Sequence, residues 1–249
     1  MSGHSKWSSI KHKKGAADAK RGKLYTKLVK EIIVAAREGG GDPETNSRLR
    51  LAVSIARNSN MPGSNIEKAI KRGTGEIEGV SYENFNYEGY GQNGVAIFIE
   101  TLTDNKQRTV AEVRHTFSKY GGNMAESGSV AWMFEQKGLI RIINKGLDEE
   151  EVMMASLDAG AEDFQTEDDY FEVYTAYNDL HSVLQNLENS GYQIEKAELT
   201  MIPKNTIQAD DVAEKLFNLI DHLEDLDDVQ KVYANFEISD ETIERLSAD

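Results

Sequence analysis

The chain has 249 residues, 39% hydrophobic and 29% charged, with no cysteine and a formal net charge of −15. Its length suits two or three cores better than one, the lack of cysteine excludes disulfides and Cys-ligated metals, and its apolar runs, such as residues 95–99, fall far below the roughly 20 residues of a membrane-spanning helix. The opening Met1-Ser2-Gly3-His4-Ser5-Lys6-Trp7 carries no apolar stretch of a secretory signal, so a soluble, cytoplasmic protein is expected.

The charge is divided along the chain. Residues 1–75 hold 16 Lys and Arg against 6 Asp and Glu, a net of +10, and residues 76–249 hold the other 12 against 37, a net of −25. A block of one sign at one end points to a partner of the opposite sign. The competing reading is that the basic end pairs with the acidic body of its own chain.

Residues 1–23 read as a basic arm bearing Lys6, Lys11, His12, Lys13, Lys14, Lys20, Arg21 and Lys23, with Trp7 and Ile10 as its large apolar groups. A helix is predicted over residues 18–37. Leu24, Tyr25, Leu28, Val29, Ile32, Ile33 and Ala36 form its apolar stripe, and Lys20, Lys23, Lys27 and Lys30 form a ladder on the opposite arc. Gly39-Gly40-Gly41 ends it, and Asp42-Pro43 is read as the cap and first turn of a second helix. That helix turns Leu49, Ala52, Val53 and Ala56 inward and bears Arg48, Arg50 and Arg57. A third helix, from Pro62 to before Gly73, buries Ile66, Ala69 and Ile70 and leaves Lys68, Lys71 and Arg72 outside. Ser64 and Glu67 are spaced as a capping box in its first turn. Three short helices with a tight break before the third resemble a helix-turn-helix outline.

Strands and helices alternate from there on. Two βαββαβ units fit the order if residues 138–195 form one, inserted into a second built from strands at 95–102, 129–135, 197–203 and 229–236 and helices at 107–120 and 209–223. The apolar parity changes between Ile194 and Ala197, Leu199 and Met201, which suggests a chain leaving one sheet for another. The fold class read here is α+β with three domains: a basic N-terminal three-helix bundle (residues 1–78), a discontinuous ferredoxin-like domain (79–136 with 196–249) and an inserted ferredoxin-like domain (137–195).

Gly89-Tyr90-Gly91-Gln92-Asn93-Gly94 matches a dinucleotide-binding pattern, but a strand follows it and Asn93-Gly94 is a hairpin signal. No spacing of His and acidic residues suits a metal, no catalytic motif is present, and no cofactor is expected. The acidic pairs at 148–151, 167–169 and 224–228 read as solvated caps and turns. The basic arm and ladder are the strongest signal, since cations in a row release counterions from a phosphate backbone. Trp7 suits base stacking and a peg holding the arm to the helices equally well.

Gly3-His4-Ser5-Lys6-Trp7, Ile10-Lys11-His12-Lys13-Lys14, Asp18-Ala19-Lys20-Arg21-Gly22-Lys23, Gly39-Gly40-Gly41-Asp42-Pro43, Asn60-Met61-Pro62, Tyr87-Glu88-Gly89-Tyr90-Gly91 and Ser127-Gly128-Ser129-Val130 resemble, in order, the YebC/PmpR family. The resemblance implies a helical domain followed by two ferredoxin-like ones, and a DNA-binding transcriptional regulator. Related mitochondrial proteins activate translation, and bacterial members are tied to relief of stalled ribosomes. The expectation is a non-enzymatic regulator that grips duplex DNA through the arm and first helix, with Ser64, Asn65, Lys68 and Lys71 of the third helix in a groove. The alternative is ribosomal RNA on the same surface, with a basic protein partner on the acidic domains. No membrane partner is expected.

Overall fold

The computed structural model describes residues 17–167 and 169–248, those at 17–21, 244, 247 and 248 through their backbone alone. Two compact units are present: one within Met1–Phe134 and Pro203–Asp249, the other Glu135–Ile202. No helix among the described residues is long and apolar enough to cross a membrane.

The first unit begins with helices α1 (Ala17–Gly39), α2 (Ser47–Asn58) and α3 (Gly63–Gly73). Their apolar faces meet in one cluster, with Leu28, Ile32, Ile33 and Ala36 from α1, Leu49, Val53 and Ala56 from α2, and Ile66 and Ala69 from α3. The cap of α2 is Asn46, four residues later than the sequence suggested. Its Oδ1 accepts from the Leu49 amide at 3.0 Å, while its Nδ2 donates to the carbonyls of Ala35 and Gly40 at 2.8 Å each. A buried amide thus serves the start of α2 and the end of α1 together, which no carboxylate can do. Asp42 instead closes the preceding turn, accepting from Glu44. Helix α3 follows Pro62 without a side-chain cap, so Ser64 and Glu67 form no capping box.

Gly73 is where α3 touches α1. A Cβ there would lie 2.5 Å from the Ile33 carbonyl oxygen and 2.6 Å from the Ala36 Cβ. Gly73→Ala should therefore lower stability by about 1–3 kcal/mol through overpacking, although alanine is the better helix former. A urea denaturation midpoint equal to or above that of the parent chain would show that the helices can part at no cost.

The sheet of the first unit has the order β3-β1-β2-β8, from β1 (Glu83–Tyr90), β2 (Ala96–Thr103), β3 (Asn123–Ala125) and β8 (Val229–Ala234), all neighbours antiparallel. Helices α4 (Lys106–Lys119) and α7 (Ala213–Glu224) supply Val113, Phe117, Leu216 and Ile220 to the core against Ile97, Ile99 and Val232. Positive φ at Asn93 and Gly94 makes the β1–β2 link a hairpin, as their sequence signalled. Asn105 caps α4 by accepting from the Arg108 amide at 3.1 Å.

Two expected strands change places. No strand covers 129–133: Ala131–Met133 is a 3-10 turn, because the backbone N–H groups of Gly128, Val130 and Ala131 donate to the buried carboxylate of Glu88 at 2.6–2.9 Å. The strand expected at 197–203 is the later part of β7 (Ile194–Pro203), and it lies in the other unit's sheet. The parity change that suggested a departure occurs within that strand, whose residues 197–203 are all half-buried, so neither parity marks a core face.

The second unit has the sheet order β5-β6-β4-β7, from β4 (Phe134–Ile143), β5 (Asp163–Thr166), β6 (Tyr170–Ala176) and β7, with helices α5 (Glu149–Ala159) and α6 (Leu180–Asn189). Asp148 caps α5 as expected, accepting from the Glu151 amide at 3.0 Å. The chain is thus mixed α+β, with helices first and then two four-stranded antiparallel sheets and a short parallel pair, one unit inserted into the other.

Candidate nucleic-acid interface

The spacing of Lys23, Lys27 and Lys30 places them on one face of α1. In the folded chain that face meets the turn that ends α7, residues 224–228. Lys23 donates to the Asp225 carbonyl at 3.1 Å and Lys27 to the Glu224 carbonyl at 2.7 Å. Lys30 donates to the Asp227 carbonyl at 2.9 Å and to Asp228 Oδ1 at 2.8 Å. Lys23 and Lys27 thereby serve carbonyls at the C-terminus of α7, where the helix dipole also favours cations, and Lys30 serves the turn that follows.

This corrects the expectation that the ladder projects into solvent. Lys30 is 6% exposed and Lys27 half-buried, while Lys23 stays exposed. Burial holds the Lys27 ammonium below its ordinary pKa and outweighs the carboxylates of Glu224 and Asp225, which act the other way. The ladder faces opposite the helical core, but a second surface of the same chain lies there.

Asp228 is the centre of that contact. Sequence placed it in a solvated turn, yet it is 1% exposed. Its Oδ2 accepts from Arg108 Nη2 at 2.7 Å, from Thr109 Oγ1 at 2.8 Å and from Thr103 Oγ1 at 3.0 Å, beside the Lys30 bond on Oδ1. Burial alone would raise its pKa. The bonds from Lys30, Arg108 and Thr109 outweigh it and bring the carboxyl down to about 2. The adjacent groove of about 660 Å³ is lined by Asp104, Glu112, Asp225, Asp227 and Asp228 against Lys23, Lys30 and Arg108. Five carboxylates against three cations make it a poor seat for a phosphate.

Two of the predicted arginines are also engaged within the chain. Arg48 pairs with Glu31 at 2.8 Å and with Glu38 at 2.5 Å, and Arg50 donates to the Pro43 carbonyl at 2.8 Å and to the Glu44 carbonyl. The outer face of α3 differs. Ser64, Asn65, Lys68, Lys71 and Arg72 are all exposed, as is Arg57 at the end of α2. Lys68, Lys71, Arg72 and Arg57 have no ion pair among the described residues. Spacings of three and four residues gather Ser64, Lys68, Lys71 and Arg72 on one side of the helix, and the last turn bears Lys71 and Arg72. Lys6, Trp7, Lys11, His12, Lys13 and Lys14 lie outside the described residues, as do the side chains of Lys20 and Arg21.

Sequence reasoning missed Asp228, its partner Arg108 and the loop-holding Glu88. No local signal marks them, since their partners stand up to 198 residues away.

Residues 5–76 match the family model described as the TACO1/YebC protein N-terminal domain, and residues 82–236 match that of the TACO1/YebC second and third domain. Similar relatives include a probable transcriptional regulatory protein of Acidithiobacillus ferrooxidans, 60% identical over 249 residues covering 100% of this chain and 99% of the relative. Another, from Thermotoga maritima, is 56% identical over 248 residues, covering 99% and 98%. The crystal structure of a conserved hypothetical protein from Aquifex aeolicus aligns with a TM-score of 0.85 at 49% identity, over 93% of this chain and 96% of that one. The chain belongs to the TACO1/YebC family.

Proposed function

We propose that this chain is a non-enzymatic, nucleic-acid-binding regulator of gene expression that acts in the cytoplasm and grips a phosphate backbone with the outer face of α3. The observation that carries this reading is the exposed row of Lys68, Lys71 and Arg72, which has no ion pair among the described residues, whereas Lys30, Arg48 and Arg108 pair with acids of the chain. Ser64 and Asn65, exposed at the start of the same helix, are the side chains positioned to meet base edges. The names of the relatives support transcription as the process regulated, and duplex DNA is the target this reading takes.

A second reading, ribosomal RNA as the target, rests on charge. The −25 of residues 76–249 repels a long duplex and suits a basic protein surface. One comparison tests both. The full chain and its Lys68→Gln, Lys71→Gln, Arg72→Gln variant are assayed for binding to random duplex DNA and for co-sedimentation with ribosomes at physiological salt. The variant should lose at least tenfold in affinity for whichever target the parent binds. Equal binding by both proteins would remove α3 from the interface.

A further inference from the structure

We propose that a cleft on the sheet-bearing part of the first unit, distant in sequence from α3, binds the phosphate of a nucleotide. The cleft, about 430 Å³, is lined by Gln92, Lys119, Tyr120, Gly121, Lys215 and Asn218. Two of these are cations and none is an acid, in a stretch of chain where acids outnumber bases 37 to 12. Neither ammonium has an ion pair among the described residues. The nearby Asp211 is occupied by the Asn93 amide at 3.0 and 3.2 Å. Two lysines facing one concavity, without a carboxylate to neutralise them, form an electrostatic seat for an anion.

The walls are held in place. Tyr120 stacks on His222 with ring centroids 4.0 Å apart, and the Lys119 ammonium lies 5.2 Å from the Tyr120 ring centroid. Gln92 Nε2 donates to the Tyr120 carbonyl at 2.7 Å, which fixes the amide and leaves its buried Oε1 without a donor. Gly121 has φ of +76°, and a Cβ there would stand 2.9 Å from Gln92 Nε2, so glycine keeps this wall open. The volume is that of a small-ligand site and far exceeds a phosphate ion alone. A nucleotide fits both the charge and the volume, with its phosphate on Lys119 and Lys215 and its nucleoside in the rest of the cleft. The same chemistry is offered by a free nucleotide and by the phosphorylated end of a strand.

The test is an amide NMR titration of the full chain with adenosine 5′-monophosphate, adenosine and a 5′-phosphorylated tetraribonucleotide. Adenosine monophosphate should shift Gly121, Asn218 and the Gln92 side-chain amide, and adenosine should not. Lys119→Gln with Lys215→Gln, both exposed positions, should weaken that response at least tenfold while the remaining spectrum stays folded, and Lys119→Arg with Lys215→Arg should retain it. The α3 variant should respond as the parent does, which separates this site from the proposed interface. Tighter binding of the tetranucleotide would identify a strand end as the source, and weaker binding a free nucleotide. Shifts by adenosine equal to those of its monophosphate, an undiminished response in the glutamine variant, or no response to any probe at millimolar concentration would overturn the proposal.

Discussion

Asp228→Ala should lower the stability of the chain by about 3–5 kcal/mol at neutral pH, because it leaves a buried ammonium and two buried hydroxyls without their acceptor. Lys30 is the cation left behind, and Thr103 and Thr109 are the hydroxyls, each within 3.0 Å of Asp228 now. The loss should depend on pH. The folded carboxyl titrates near 2 against 3.8 when unfolded, so its contribution is complete above the unfolded value and fades as pH falls from there through 2. The difference corresponds to about 2 kcal/mol. Denaturant titrations of parent and variant at pH 7 and pH 2 should therefore show the gap between them narrowing by about that amount. A gap that stays constant would mean that Asp228 is held by its shape and not by its charge.

Glu88→Ala should cost about 3 kcal/mol, since three backbone N–H groups lose their acceptor at once. Burial would raise the Glu88 carboxyl, but the amides of Gly128, Val130 and Ala131 hold it below the ordinary range. Glu88→Gln is the sharper variant. One amide oxygen can accept from the Val130 and Ala131 side, where the bonds are 2.6 and 2.9 Å, but the NH₂ then opposes the Gly128 N–H, now 2.7 Å from Oε1. The expected result is an intermediate loss, with hydrogen exchange accelerated at Gly128 first. Equal protection at all three amides in the glutamine variant would contradict the clamp.

The helices were legible because their cores are periodic: Leu28, Ile32 and Ala36 in α1, and Ile66 and Ala69 in α3, are buried as their spacing required. The hairpin at Asn93-Gly94 was legible because few residue pairs tolerate positive φ twice in succession. What escaped was long-range. A lysine row at helical spacing reads the same whether it faces phosphates or the C-terminus of α7, and nothing near residue 30 announces Asp228. Likewise, Ser127-Gly128-Ser129-Val130 has the composition of a strand entry, and only the carboxylate of Glu88, 40 residues earlier, diverts it into a turn. The proposed interface was legible residue by residue at Lys68, Lys71 and Arg72, because their helix buries its opposite side.

The division of labour between cations that hold the fold and cations that meet nucleic acid is tested most directly by the salt dependence of binding. The slope of log affinity against log salt should be measured for the full chain, for the α3 variant, and for Lys23→Gln with Lys27→Gln. Each phosphate contact to a duplex contributes roughly 0.9 to that slope. Substituting Lys68, Lys71 and Arg72 should make it shallower by about 2–3, while substituting Lys23 and Lys27, whose ammonium groups already serve Asp225 and Glu224, should leave it unchanged. A slope that collapses in the Lys23 and Lys27 variant and holds in the α3 variant would contradict the assignment and return the interface to α1.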